Sequence, residues 1–497
     1  MSLIRASIWL SLSELVFNLS GYLIHAVLGR VLGPAEYGRY GLIVTFSTMI
    51  VVLLSRGIPI AMSKYLGETG GKKSRLADIL LIRNTGWKTQ IAVIAVITLA
   101  YYLLAPFFAW IVRDPSLTPL IRLSTLIVPA FSLATFYVYY FVGIQQFTKQ
   151  AFLKISRALL KVFLIIAGAI WMATPGAILG HALAPFLIFI IGYFTDPYRK
   201  IKQTNLSQPI IRLDWKKMFV FAGPITFFMI FYEVMITADI YMVKGILRND
   251  TLTGYYNGAL NIGRLPYNAF YFLTLILLPK ISEVTTAGAK QATSRLLRKT
   301  MRFVFMLLFP TIALLSAWAP ALVNFLYGEQ FISAARPLCF LALGMGFYTI
   351  FYILAFVLNG AGKNKTPMVS ACIGMILNIV LSFFLIKKYS LVGAAWANNI
   401  SAGIIMLWTI YVTEKTVASF ICLKSLLKYF VLSSGLWLIV TFWMPQGKFI
   451  FIPWTIALTA LYFFLLYLWK ELSADDWQWL LNAFKRSEEH TSELQSR

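Results

Sequence analysis

The sequence predicts an all-α polytopic membrane protein, with about 14 transmembrane helices arranged as two pseudo-symmetric six-helix lobes plus two extra helices. Two observations carry this reading. The chain has 497 residues, 59% hydrophobic and 13% charged, with a mean hydropathy of +0.75. Apolar stretches of about 20 residues recur along it, long enough to cross a hydrocarbon core about 30 Å thick. The second observation is an internal repeat. Gly38 in Tyr37-Gly38-Arg39-Tyr40-Gly41 matches Gly254 in Gly254-Tyr255-Tyr256-Asn257-Gly258, 216 residues later. Ala105-Pro106 and Arg122 match Ala319-Pro320 and Arg336 at an offset of 214. Gly143 matches Gly360 at 217, and Gly180 matches Gly393 at 213.

The spans fall at 8–32, 40–62, 89–112, 119–142, 158–174 and 176–195, then 218–243, 255–279, 303–327, 337–359, 367–386 and 391–412. Residues 1–203 form the first lobe and 212–412 the second, joined by the basic linker Pro197–Asp214. Spans thirteen (427–444) and fourteen (450–469) lie within 424–470 and have no counterpart in the repeat. Span one is too long for a cleavable signal peptide and lacks a small-residue cleavage site, so it is expected to insert as a signal anchor. Glu471–Lys485 carries Trp477, Trp479, Leu480, Leu481 and Phe484 and reads as an interfacial amphipathic helix. Residues 486–497 are polar and resemble a translated sequencing adapter; they are set aside as an artefact.

The net charge of +25 raises nucleic acid as a partner, and its placement excludes it. If alternate span ends are assigned to opposite sides, 32 cations lie on the side of the termini and ten on the other. This is the positive-inside pattern, so both termini are expected in the cytoplasm and the basic residues meet anionic lipid heads. Cys339, Cys372 and Cys422 are widely spaced in or beside apolar spans and form no disulfide or metal framework. No phosphate-binding Gly-Lys-Ser/Thr loop is present, and no loop is long enough to hold a catalytic domain. The chain is read as a non-enzyme without cofactor. Membrane proteins built from parallel halves hold a substrate between them and rock around it.

Once the cations near span ends are assigned to a side, Arg56 and Arg264 are the two left inside spans. Buried charges face a partner or a watery cavity. Glu14 and Arg56 lie at similar depth on spans one and two, as do Glu233 and Arg264 on spans seven and eight. Each pair reads either as a structural salt bridge or as part of a cavity whose arginines attract a diphosphate, which suits the planar guanidinium fork. Glu14, Asn18, Tyr22 and His25 form one polar stripe on span one. Span seven offers Glu233, Thr237 and Lys244 on one face and Asp239 on another. Glu14, His25, Glu233 and Asp239 are the candidates for ion or proton coupling, although His25 reads more readily as a hydrogen-bonded core residue. Tyr40, Tyr232, Tyr256 and Tyr267 are candidate sugar contacts. Arg30 reads as a structural or interfacial anchor, His181 as a core histidine, and Asn378, Asn398 and Asn399 as interhelical hydrogen bonds.

Leu28-Gly29-Arg30-Val31-Leu32-Gly33-Pro34-Ala35-Glu36-Tyr37-Gly38-Arg39-Tyr40 resembles the start of polysaccharide-biosynthesis flippases. Leu265-Pro266 and Leu277-Leu278-Pro279-Lys280-Ile281-Ser282 resemble the matching segment of that group and of lipid II flippases. Both belong to the multidrug/oligosaccharidyl-lipid/polysaccharide superfamily, and the resemblance covers essentially residues 1–470. It implies two six-helix lobes forming a V, and movement of a polyprenyl-diphosphate-linked saccharide from the cytoplasmic to the outer leaflet of the inner (cytoplasmic) membrane. The expected partners are that saccharide carrier and membrane lipids. A coupling cation or proton stays open, and a monomer is expected. Three alternatives remain: a lipid II flippase, a cation-coupled multidrug exporter, and a membrane polysaccharide ligase or polymerase. An exporter expects an acidic cavity, a diphosphate carrier a basic one.

Overall fold

The computed structural model describes residues 3–56, 58–68, 76–201, 226–270, 281, 290–443, 449 and 451–471. In hydrocarbon a backbone has only itself to bond to, so apolar runs of this length close as helices. Every regular element among the described residues is helical. Ten described helices are long and apolar enough to cross a membrane. Three of them bend midway and supply two crossings each: Leu3–Arg56 holds spans one and two, Phe147–Thr195 five and six, and Lys365–Thr416 eleven and twelve. Span eight is described as Asp250–Gly263 and stays helical to residue 270. The protein is a multi-pass membrane protein. The expected lobe boundary at 203–212, the interfacial helix beyond Glu471, and residues 486–497 lie outside the described residues.

The repeat is visible in the backbone itself. Residues with positive φ are rare because Cβ then crowds the carbonyl. Here they come in pairs: Gly33 with Arg248, Arg113 with Gly328, Gln145 with Gly362, and Ala173 with Ser390, separated by 215, 215, 217 and 217 residues. Among the described residues Lys470 alone has no mate, and it lies beyond the repeat. Ala173 (φ 50, ψ −134) and Ser390 (φ 54, ψ −133) are the same bend used twice. Each folds a long helix into a hairpin, with a glycine three residues on. A Cβ on Gly176 would lie 1.9 Å from the Gly168 carbonyl oxygen, and one on Gly393 2.0 Å from that of Leu385. The counterpart of Gly393 is therefore Gly176. Sequence matching selected Gly180, one turn away, which makes a close contact of its own with Leu164.

The largest buried cluster draws on both lobes, joining Tyr37, Leu42 and Phe46 to Ile240, Tyr256 and Phe331. A second cluster packs spans thirteen and fourteen on the second lobe through Met301, Leu308, Tyr429 and Tyr462. Among the described residues the lobes meet backbone to backbone where the repeat mates Gly38 and Gly254 come together. A Cβ on Gly38 would sit 2.4 Å from the Asp250 carbonyl oxygen, and one on Gly254 1.8 Å from that of Pro34. Residues related by a pseudo-two-fold axis meet only on that axis, so these glycines mark it.

Polar contacts close the same end. Arg39 donates to Asp250 at 2.8 Å and to Glu36 at 2.9 Å. Lys244, almost fully buried, pairs with Asp114 of the first lobe at 2.6 Å and with Asp250. Arg30 donates to the carbonyls of Leu326 (2.9 Å) and Phe325 (2.5 Å). Those carbonyls end the short helix Ala319–Tyr327, where unpaired acceptors favour a cation. The anchoring role expected of Arg30 is thus met by a helix end of the opposite lobe.

Two outcomes are expected at this end. Gly38→Val forces a side chain into backbone and should cost about 1–3 kcal/mol, lowering the thermal midpoint and the yield of a disulfide engineered between the lobes here; unchanged values would refute the contact. Lys244→Met leaves Asp114 and Asp250 facing each other and should cost roughly 3 kcal/mol, the low end for a broken buried pair. Burial pushes the Asp114 carboxyl up, but hydrogen bonds from Lys244 and Ser116, with the charge of Lys244, outweigh it and hold the group below the usual carboxylate range. A lowered folded value means that this stabilisation is complete above the unfolded pKa of about 4 and fades as pH falls below it. Spin-label distances across the lobe ends should stay constant from about pH 5 to 8 and lengthen only in stronger acid.

Candidate functional site

Span seven breaks at residues 236–237. The Ile240 amide bonds to the Thr237 carbonyl, three residues back, so the Ile236 carbonyl loses the helical donor it would otherwise have. Arg264 of span eight fills the gap, its Nη2 donating to Ile236 at 3.1 Å. Its Nε is buried and has no hydrogen-bond partner. One turn further, Asn268 donates to the Tyr22 hydroxyl at 3.0 Å, and Tyr22 is on span one. Asn268 and Arg264 are four residues apart and share a helix face, so Arg264 looks across to the first lobe. It lies within electrostatic reach of Tyr22 and His25. The expected ion pair with Glu233 does not form among the described residues. Arg264 is held by a backbone carbonyl, because the break in span seven presents that acceptor to it.

On the facing side, His25 Nδ1 lies 3.0 Å from the Tyr37 hydroxyl, which also receives a bond from Asn261 (3.2 Å) and meets Tyr327 (3.3 Å). His25 is within reach of Lys161 as well as Arg264. Lys161 makes no hydrogen bond or ion pair among the described residues. Arg157, buried, lies over the rings of Phe17 (5.1 Å) and Phe131 (4.7 Å) with its Nε unpaired. Lys154 pairs with Glu14. Glu14 was expected to meet Arg56, whose side chain lies outside the described residues.

Lys154, Arg157 and Lys161 were counted in the sequence as cytoplasmic loop cations. Span five was started at 158 on hydropathy, whereas the helix begins at Phe147 and carries them into the lobe. Their spacing of three and four residues, a single helix face, was the signal available.

The tyrosines divide. Tyr40, Tyr232 and Tyr256 were expected at the cavity wall, and all three are buried within the fold. Tyr40 and Tyr256 are repeat mates 216 residues apart, and their hydroxyls are engaged alike: Tyr40 with His181 Nδ1 at 3.1 Å, Tyr256 with Asp239 at 2.5 Å. Tyr232 stacks among Tyr352 and Phe351, and only Tyr267, 5.7 Å from it, is half-buried. His181 is a core histidine in a hydrogen bond.

Asp239 is completely buried. One carboxylate oxygen accepts from Tyr256 and from Asn398 (3.1 Å), while the other, Oδ1, has no hydrogen-bond partner. The side-chain oxygens of Asn398 and Asn399 are likewise unpaired, and both point at Gly344. An all-oxygen set with one carboxylate suits a hard cation. Asn378 donates to Tyr348 and to the Met235 carbonyl, an interhelical bond of the expected kind.

Solved structures with the same architecture include a lipid II flippase MurJ in an inward closed conformation. Its TM-score is 0.71 at 17% identity, over 94% of this chain and 99% of that one. The eukaryotic MATE transporter AtDTX14 follows at TM-score 0.60 and 14% identity, over 86% and 99%. Among curated relatives, the lipid II flippase MurJ of Bacillus subtilis is 24% identical, over 74% of this chain and 73% of its own length. A putative O-antigen transporter of Shigella flexneri is 21% identical, over 83% and 98%. An uncharacterized membrane protein of Methanocaldococcus jannaschii is 26% identical, and the match spans only 33% of that protein. The family model described as polysaccharide biosynthesis protein matches residues 27–336, well over half of the chain, and the protein belongs to that family.

Proposed function

We propose that the protein is a flippase carrying a polyprenyl-diphosphate-linked oligosaccharide from the cytoplasmic to the outer leaflet by alternating access. One observation carries the reading: Arg264 faces the opposite lobe with a buried, unpaired Nε, and it and Lys161 of span five both lie within electrostatic reach of His25. A buried diphosphate needs paired positive charge, and a guanidinium donates two parallel hydrogen bonds to phosphate. The end closed by Gly38 and Gly254 is the outer one, and both termini lie in the cytoplasm of the cell whose inner membrane holds the protein. The positive-inside charge distribution supports that orientation. The relatives named above include transporters and flippases, which supports transport rather than catalysis.

The same cavity suits lipid II, whose headgroup presents the same diphosphate. An exporter of cationic drugs fits less well, because Glu14 is already neutralised by Lys154 and the remaining cavity groups are mostly cationic. Cation coupling is a separate matter. Asp239, Asn398 and Asn399 offer unpaired oxygens in the second lobe, and a monovalent cation there would link ion entry to movement of span seven.

Arg264→Ala should abolish glycan display on the outer leaflet at matched protein levels. Arg264→Lys should impair it only partly, since charge is kept and the fork is lost. Normal display by the Ala variant would refute the diphosphate role. For orientation, an impermeant thiol reagent applied to intact cells should leave a cysteine in the 197–214 linker unlabelled. Efficient labelling there would reverse the topology.

A further inference from the structure

The helix Lys290–Ala317 is 28 residues long, about 42 Å at 1.5 Å per residue. Its C-terminal end adjoins the short helix that Arg30 caps, so its start lies at the opposite face of the molecule. There a pocket of about 640 Å³ opens, lined by Arg295, Arg298, Lys299, Arg302, Lys470 and Glu471 among others. Three chain segments converge to make it: the start of that helix, the start of Leu423–Trp443 and the end of Phe451–Leu468.

Its carboxylate is already engaged. Glu471 is buried, pairs with Lys428 at 2.8 Å and Arg302 at 3.6 Å, and accepts from the Tyr429 hydroxyl at 3.1 Å. Arg295, Lys299 and Lys470 make no ion pair among the described residues. The concave surface therefore carries an excess of positive charge arranged around a fixed floor. Beside it, Leu423, Leu427, Phe430, Tyr467 and Trp469 are exposed. Apolar side chains next to a Trp and a Tyr at a helix end mark the level where headgroups give way to acyl chains.

We infer that this pocket binds the phosphate headgroup of an anionic phospholipid, whose acyl chains run down over the exposed apolar side chains of the last two helices. The site is on the outer flank of the second lobe, built half from the helix Lys290–Ala317 of that lobe and half from segments beyond the repeat, and is separate from the cavity between the lobes. Basic pockets between helix ends on the cytoplasmic side hold anionic headgroups by this chemistry. The lipid would tie spans thirteen and fourteen to the lobe, adding to the buried cluster they share with it, the Glu471 pairs and the Tyr462 bond to the Met306 carbonyl.

Native mass spectrometry of the full chain, supplied with phosphatidylglycerol or phosphatidylcholine in detergent, tests the inference without reference to transport. The wild type should retain phosphatidylglycerol in preference. The triple variant R295Q/R298Q/K299Q should lose that preference by about tenfold or more, while R295K/R298K keeps it. Should the triple variant fold poorly, Lys470→Gln alone must still weaken retention. Equal retention by the neutralised variants overturns the inference. So does full displacement of phosphatidylglycerol by millimolar inorganic phosphate, which would make this a site for free anions.

Discussion

Two glycines that are copies of each other press backbone to backbone, and most of the described lobe interface is arranged around that contact. Gly38 and Gly254 leave no room for a Cβ on either side. Because they are repeat mates, their meeting places the pseudo-two-fold axis between them. Everything nearby is then decided twice: what one lobe presents, the other must receive. Arg30 caps a helix of the second lobe, and Lys244 of the second lobe reaches Asp114 of the first. The two clamps are not copies in residue type, yet each crosses the axis from the first helix of its own lobe.

The close contact at one end has a consequence for the cavity. Bundles that touch at a pivot are free to vary their separation with distance from it. Arg264 lies ten residues along the helix from Gly254, about 15 Å at 1.5 Å per residue, where Asn268 and Tyr22 still bridge the lobes. A group at that depth senses any change in the angle between lobes. Its anchoring at the break in span seven gives it a defined position, because the Ile236 carbonyl has no helical donor. Fixing one arm of a guanidinium to a backbone oxygen leaves the other side of the fork to a ligand. The same residue thereby supports the broken helix and offers a charge.

The lobes differ in what they bury. At repeat-matched tyrosines the first lobe sets His181 and the second sets Asp239. The first lobe gathers cations on span five, while the second holds a carboxylate among unpaired amide oxygens. One scaffold thus buries a run of cations in one half and a carboxylate among amide oxygens in the other. Spans thirteen and fourteen, outside the repeat, close a basic pocket against the helix Lys290–Ala317 on a third side.

The crossings, their number and the two-fold repeat were determined by the sequence, because apolar length and internal matches are local properties of the chain. The family motif around Gly33 to Tyr40 was legible for the same reason. Side-chain partners were not. Depth along a helix predicted that Glu233 would meet Arg264, but depth says nothing about rotation, and no such pair forms among the described residues; Glu14 pairs with Lys154, and its expected partner Arg56 has its side chain outside them. Arg264 bonds instead to a carbonyl freed by a helix break, an acceptor that has no residue type and leaves no mark in the sequence. Tyr40 and Tyr256 read as candidate sugar contacts; that their hydroxyls meet His181 and Asp239 is set by packing and has no local mark in the sequence. Lys154, Arg157 and Lys161 were missed because hydropathy places a helix start where the chain turns apolar, while the backbone starts where its hydrogen bonds close. Which groups stand together between the lobes was decided by tertiary packing alone, since only packing fixes the rotation of each helix and the distance between lobes.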